Sequence, residues 1–575
     1  MTKDELTDII ESLQNTQSDT SHVEIKLSEG GFPKKIWETI SSFSNTFGGG
    51  VIILGIAESE AGIDVRGISN PSSFQKEMQE VCSKMSPPVR ALIEIHKYEG
   101  KNLLTTEVPE AAYSEKPCFY QGSGMISGSF IRVGESDRRL TQYEVQALLD
   151  GRGQPKYDLE RVPDSSMEDL DEKLVVLFLK RIREKNNRVR DWTDEKILNH
   201  YRVIEFQQDR YVMTLAGIIG LGAYPQKYFP GFVTHVLVYP GSEEGPSGSQ
   251  GERLIDNVKV EGPILTAVPE IIRAIKRNIQ TRTVVKGLFR EDMPEYPEVF
   301  LREAVVNALV HRDYSPFARG TAVQVKLFPD RIEICSPGGL FGPMTEEGLG
   351  TTNLQAARNS FLIKLLEDCP LLVENKTLCE NRGTGIPAMI AELKKVGMEP
   401  PMFKSSIPQF KVICSNAALL DQRTLAWLEK FAAFDLNDRQ RFGLAYLFHK
   451  TKLTNYEYSR MNGCDSRIAS RELGDLVQKK RVIQNGTRRW AFYTLAGVSG
   501  DARPRIGRKD RREEIIAILK KRTECARRDF ERILGLQPQT VLYWLRKLIK
   551  EGAIVCTRVK AKDPLSKYRL AKPKS

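Results

Sequence analysis

The sequence predicts a multidomain α+β protein, and three observations carry that prediction. A chain of 575 residues is long enough for several domains, and its 41% hydrophobic and 28% charged content is ordinary for globular protein. Strand candidates that alternate apolar and polar residues are interleaved with amphipathic helices of 3.6-residue period. The C-terminal part turns helical and twice repeats short helices followed by a hairpin. No apolar run is long enough to span a bilayer, so no membrane partner is expected. The start, MTKDELTDIIESLQNTQSDT, is acidic and polar, unlike a signal or transit peptide. Nine scattered cysteines without a CxxC, and six histidines, argue against a zinc module or disulfide framework and for a reducing, cytoplasmic setting. The net charge of +11 favours a polyanionic partner.

Residues 1–150 form the first unit. HVEIKLSE is a strand candidate in which Val23, Ile25 and Leu27 alternate with charge. The helix PKKIWETISSFSNT, the turn Phe47-Gly48-Gly49-Gly50 and the strand VIILGIAE follow, and SGSFIRVGESDRRLTQYEVQALL closes the unit with a strand and a helix. The run of E-x-K, SFSNT-FGGG and VIILGI resembles the Schlafen-type AlbA-like domain. In nuclease members of that group three acids around the E-x-K strand hold a metal, and the aligned positions here are Asp19, Glu24 and Glu58. Asp19 and Glu58 depart from the pattern by about one methylene, roughly 1 Å or more, enough to disturb a metal geometry. The plainer reading pairs Glu24 with Lys26 or Lys34 on a solvated face. Phosphate contacts need no such geometry, and Lys26, Lys34, Lys35, Arg132, Arg138 and Arg139 are candidates for them.

Residues 151–255 are a linker and a bridging α/β region. GRGQPKYDLERVPDSS is a joint by composition, LDEKLVVLFLKRIREKNN a long helix with a basic exit, and FVTHVLVY a strand. His200 and His235 lack a partner at metal spacing and are expected to be structural.

Residues 256–416 carry the densest pattern. FLREAVVNALVHRDYSPF is an amphipathic helix and loop in which Glu303 and Asn307, four residues apart, share a face. Asn307 offers a neutral oxygen to a hard cation such as Mg²⁺, and Glu303 can take a proton from water beside a phosphate. TAVQVKLFPDRIEICSPGG reads as two strands ending in a glycine pair. ENRGTGIPAMIAELKKVG runs a Gly-x-Gly turn straight into a helix, whose free N–H groups suit a phosphate. In that order the parts resemble the GHKL ATPase fold, and more closely its divergent RecG-like branch. The resemblance rests on Glu303, Asn307, His311-Arg312-Asp313-Tyr314, Ser336-Pro337-Gly338-Gly339, Arg358-Asn359 and Gly383-Thr384-Gly385. It implies a GHKL-like α/β sandwich that binds ATP with Mg²⁺. Glu303 would activate water, and Asn307 would be the metal ligand. His311, Asp313, Ser336, Gly338, Gly339, Arg358, Asn359, Gly383, Thr384 and Gly385 would surround the nucleotide. GHKL proteins carry an aspartate on the adenine amino group at the turn after these strands, whereas Ser336-Pro337-Gly338-Gly339 has no acid. The interval from Met344 to Leu372 would be the lid, hinged at Gly348 and Gly350.

Residues 417–497 and 498–575 each read as helices followed by a hairpin, the winged-helix order. In the first, Arg467 and Arg471 lie on the third helix and Arg488 and Arg489 at the wing tip. In the second, behind the basic linker RPRIGRKDRR, Gln539, Thr540, Tyr543, Arg546 and Lys547 would meet a groove while Leu542, Leu545, Leu548 and Ile549 face inward. These groups favour DNA over RNA. Three functions stay open on this reading. They are a nucleotide-responsive DNA-binding regulator of transcription or defence, a metal-dependent Schlafen-type nuclease acting in defence, and an ATPase. GHKL proteins often pair, so a homo-oligomer, specifically a dimer, is expected.

Overall fold

The computed structural model spans Met1–Ser575 and describes all residues except 17–21, 60–61, 246–252, 287–288, 343, 347, 351–355, 371–376, 379–382, 418, 421, 432–433, 486–490, 497–511, 523, 528, 531–540, 542–543, 546–547, 550–552, 557–566 and 571–575. Asp19, Arg488, Arg489, Gln539, Thr540, Leu542, Tyr543, Arg546 and Lys547 therefore lie outside the described residues. The chain forms two compact units, Met1–Ala496 and Gly497–Ser575.

The first unit opens with helix α1 (Lys3–Thr16), strand β1 (Val23–Lys26), helix α2 (Ile36–Asn45) and strands β2 (Gly50–Leu54), β3 (Leu92–Tyr98) and β4 (Lys101–Val108). The sheet order is β1-β2-β4-β3, with β1 and β2 parallel. Every residue of β2 is buried because both faces of the sheet are covered. Val51 and Ile53 pack with Leu6, Ile10 and Leu13 of α1, whereas Ile52 and Leu54 pack with Ile36, Ile40 and Phe43 of α2. Helix α3 (Gln142–Asp150) closes the domain, started by a capping box between Thr141 and Glu144.

The chain continues through α4 (Glu172–Lys185), β5 (Thr234–Val238), β6 (Asp256–Val260), α5 (Ile264–Asn278), α6 (Glu298–Val310), β7 (Val323–Leu327), β8 (Arg331–Pro337), α7 (Ser360–Asp368), α8 (Gly385–Lys395), β9 (Met402–Ser406) and β10 (Gln409–Ser415). One six-stranded sheet has the order β6-β5-β7-β8-β10-β9. It takes β5 from the segment expected to be a bridge, so the boundary expected at 255/256 cuts across the sheet. Strand β5 pairs in parallel with β7, and a parallel partner so distant in the chain leaves no local sequence signal. A single apolar core runs from Val162 to Cys414 and joins the bridging region to this sheet.

Helix α6 is held at its C-terminal end, where the last carbonyls lack helical partners. Ser336 Oγ donates to the Ala308 carbonyl at 2.6 Å, Tyr314 OH to Leu309 at 2.9 Å, and Asn359 Nδ2 to Val310 and to Arg312 at 2.8 Å each. Each of these polar groups is buried. Ser336 and Asn359 were expected beside a nucleotide. Both side chains satisfy main-chain oxygens, which a buried helix end requires; Ser336 also lines the cavity described below, and Asn359 does not.

Three further helices, α9 (Asp438–His449), α10 (Asn455–Asn462) and α11 (Ser466–Gln478), are followed by β11 (Val482–Asn485) and β12 (Phe492–Leu495). Strand β12 also pairs with Leu453–Thr454, giving three strands packed on the helices. In the second unit a helix, Arg512–Lys521, and strands Cys525–Ala526, Ile554–Cys556 and Lys567–Leu570 enclose a small core. That core takes Val541, Trp544, Leu545 and Leu548, while Ile549, expected inside, is 40% exposed.

Asn359→Ala leaves the Val310 and Arg312 carbonyls buried without donors. It is expected to cost about 1–3 kcal/mol, read as a lowered Tm of the full chain by scanning calorimetry.

Candidate functional site

Glu303, Asn307 and His311 recur every fourth residue, so α6 presents them on one face. That face lines a cavity of about 650 Å³ whose opposite wall is Gly383, Thr384, Gly385 and the first turn of α8. The approach is close. A Cβ built on Gly385 would stand 2.8 Å from Glu303 Oε2 and 3.8 Å from Asn307 Nδ2, so the corner admits a carboxylate because residue 385 has no side chain. The start of α8, whose N-cap Thr384 makes no side-chain cap hydrogen bond, adds a positive helix end to this wall. Glu303 Oε1 accepts from Arg302 Nη2 at 3.0 Å. Asn307 and His311 make no side-chain hydrogen bond among the described residues and are open to the cavity.

The cavity's other end is the turn at Ser336-Pro337-Gly338-Gly339. Gly338 sits at φ +86°, and the Arg358 guanidinium occupies the space a side chain would take there. Arg358 Nη2 donates to the Gly339 carbonyl at 2.9 Å, and its guanidinium lies 5.7 Å from the Phe341 ring centroid. Arg358, expected to reach a phosphate, thus braces the glycine turn. Asp313 is also engaged elsewhere. Its carboxylate accepts from the Ser315 N–H at 2.8 Å and from Tyr143 OH of α3 at 2.9 Å, which ties the N-terminal domain to the end of α6. Nearby, Asp158 Oδ2 accepts from the Phe361 and Leu362 N–H groups at 2.8 and 3.2 Å and caps α7.

His311 sits deep in the domain with its exposed surface opening to the cavity. That burial, with the Arg358 charge nearby, pushes its pKa down from 6.5 to about 4, so a neutral imidazole faces the cavity at pH 7. Two cavity residues carry no sequence signal for the role: Arg302, beside Glu303, and Arg181, which arrives from α4. Arg181 sits in a run that reads as a basic helix exit, and only packing brings it to the cavity.

Asn307 and Glu303 fit a Mg²⁺ that arrives with a nucleotide, since that ion takes one or two protein oxygens and fills its shell with phosphates and water. Among the described residues no group of three or more His, Cys, Asp or Glu could hold a metal by itself.

The expected nuclease acids are arranged differently. Glu24 is buried, its Oε2 lies 2.8 Å from Arg132 Nη1, and its Oε1 pairs with Lys26. Arg132 Nη1 also lies 3.1 Å from Asp137 Oδ1. Two cations thus occupy the carboxylate expected to bind a metal. Glu58 is exposed on the strand Ile56–Ser59. Of the basic candidates, Lys34, Lys35, Arg139, Arg467 and Arg471 are exposed, whereas Arg132 is buried and Arg138 forms a two-point pair with Glu144 at 2.5 and 3.0 Å.

Residues 19–141 match the model of the Schlafen AlbA_2 family, and residues 320–414 match the family described as putative ATP-dependent DNA helicase RecG C-terminal. The second match begins after α6. Among solved structures the chain is similar to protein DIP2311 of Corynebacterium diphtheriae, at 17% identity, with 86% of this chain and 97% of that one covered and a TM-score of 0.39. It is also similar to the N-terminal domain of a putative ATP-dependent DNA helicase RecG-related protein from Nitrosomonas europaea, at 28% identity, with 24% and 92% covered and a TM-score of 0.20. No curated protein matches the chain. The class defined here is a multidomain α+β protein that joins a Schlafen-type AlbA domain to an ATPase-type module. The particular module is of the RecG C-terminal kind, and the two domains together point to ATP and nucleic-acid binding. No helix among the described residues is long and apolar enough to cross a membrane.

Two outcomes follow. Gly385→Ala forces Glu303 or the glycine corner to move, and nucleotide affinity by calorimetry is expected to fall about tenfold or more while Tm changes little. A histidine held below its ordinary 6.5 withdraws stability as pH falls from there towards 4. His311→Gln removes that component, so its plot of Tm against pH is flatter over that window than the wild-type plot.

Proposed function

We propose that this chain is a nucleotide-responsive, DNA-binding regulator acting in transcription or defence. The α9–α11 unit and the second unit serve as winged helices that meet DNA. Mg²⁺-ATP in the Glu303/Asn307 cavity changes how the first of them is presented, in a homodimer of the chain. One observation carries this reading: α10 rests on the walls of the cavity. Lys394 Nζ of α8 donates to Asn462 Oδ1 at 2.8 Å, and Tyr456 OH donates to the Glu346 carbonyl, in the expected lid, at 3.0 Å. The Arg460 guanidinium lies 4.4 Å from the ring centroid of Phe403, which lines the cavity. A ligand that closes the lid or moves α8 therefore acts on the helix that precedes Arg467 and Arg471.

Within this reading Asn307 holds the metal and His311 offers a neutral ring. Glu303, which presents Oε2 to the glycine corner, is placed to accept a proton from water, and this supports the ATPase alternative. The nuclease alternative needs Glu24 free of Arg132 and Lys26, and it ranks behind.

The test combines calorimetry with gel shifts on the full chain. Wild type is expected to bind Mg²⁺-ATP, and Asn307→Ala to bind it about tenfold or more weakly. ATP is expected to change the DNA shift of wild type, and Tyr456→Phe with Lys394→Ala to reduce that change while leaving the ATP-free shift intact. A DNA shift identical with and without ATP sinks the coupling. Labelled DNA or RNA cut in Mg²⁺ or Mn²⁺, with cutting lost in Glu24→Ala, selects the nuclease instead.

A further inference from the structure

We propose that Arg181, carried by the bridging helix α4 and not by the nucleotide module's own fold, clamps the phosphate chain of the bound nucleotide. The inference rests on the nucleotide reading of the cavity and adds to it a residue and a charge class. Helix α4 buries Leu174, Phe178, Leu179 and Ile182 in the core shared with the module, so its orientation is fixed by packing. One turn beyond Arg181, Lys185 Nζ pairs with Asp368 of α7 at 2.5 Å and holds the helix's C-terminal end. Arg181 is thereby brought into the cavity that contains Glu303, Asn307 and Gly385.

The guanidinium is uncompensated there. Its Nε is buried without a hydrogen-bond partner, and it forms no ion pair among the described residues. Arg302 and Arg358 also carry a buried nitrogen without a partner, Nε and Nη1, but each guanidinium has one protein partner, Glu303 and the Gly339 carbonyl, whereas Arg181 has none among the described residues. A charged group held partly out of water without a partner is unfavourable, and an anion relieves that cost. A guanidinium is a planar fork of donors that matches phosphate oxygens two at a time. In a nucleoside triphosphate only the phosphate chain offers such a partner. With the N-terminal end of α8 opposite and Asn307 for the metal, the cavity then holds a donor set for a polyanion drawn from three separate elements.

The experiment compares wild type, Arg181→Ala, Arg181→Lys and Asn307→Ala as full chains. Affinities for Mg²⁺-ATP and for inorganic tripolyphosphate are read by calorimetry, and the Tm of the ligand-free protein is read alongside. Arg181→Ala is expected to weaken ATP and tripolyphosphate roughly ten- to a hundredfold, as for a lost charged hydrogen bond. Arg181→Lys should fall between, since it keeps the charge and loses the fork. The ligand-free Tm of Arg181→Ala should equal or exceed that of wild type, because an uncompensated cation has been removed. A structural arginine would lower it. If Asn307→Ala loses ATP while Arg181→Ala binds it as wild type does, the clamp is wrong and the nucleotide site stands. If wild type binds neither ATP nor tripolyphosphate, both are wrong.

Discussion

The contact between the start of α8 and the Glu303/Asn307 face of α6 sets the terms for the rest of the molecule. Two helices distant in sequence meet there with a backbone on one side and a carboxylate on the other. Close approach without a side chain leaves N–H groups and side-chain oxygens facing one space, which is the arrangement a metal-bound anion needs. The approach persists only if α6 is rigid. Its last carbonyls are each taken by a buried donor, from Ser336, Tyr314 and Asn359, and these donors come from three other parts of the chain. The residues around the cavity thus divide into those that face it and those that keep α6 in place.

That division separates the candidate residues into those that face the cavity and those whose side chains turn to the protein. Glu303, Asn307 and His311 were legible because helical periodicity alone puts them on one face. Gly383 and Gly385 were legible because a glycine pair before an amphipathic run marks a helix start. Asp313, Ser336, Arg358 and Asn359 are polar residues in the right segments, yet each turns to a partner that sequence spacing cannot reveal: Tyr143, the Ala308 carbonyl, the Gly339 carbonyl, and the Val310 and Arg312 carbonyls. A buried polar side chain must satisfy the nearest unpaired group, and that neighbour is set by packing.

The same logic governs the N-terminal domain. Glu24 lies on the buried side of a short edge strand, and a buried carboxylate needs a cation. Lys26 was foreseeable as its partner from the E-x-K spacing. Arg132 was not, because it comes from a strand near the domain's end and was expected on the surface as a phosphate contact. The N-terminal domain is in turn fastened to the end of α6 through Tyr143 and Asp313, and the bridging region to the start of α7 through Asp158.

Local chemistry written along the chain sufficed for the α+β class, the amphipathic faces and the glycine corner. Periodicity and turn residues act over a few positions and need no knowledge of the partner. The parallel pairing of β5 with β7, the arrival of Arg181 from α4 and the burial of Glu24 against Arg132 were settled by folding in three dimensions. Each joins residues far apart in the chain, and which distant groups meet depends on how the layers pack to bury apolar surface and satisfy every enclosed charge.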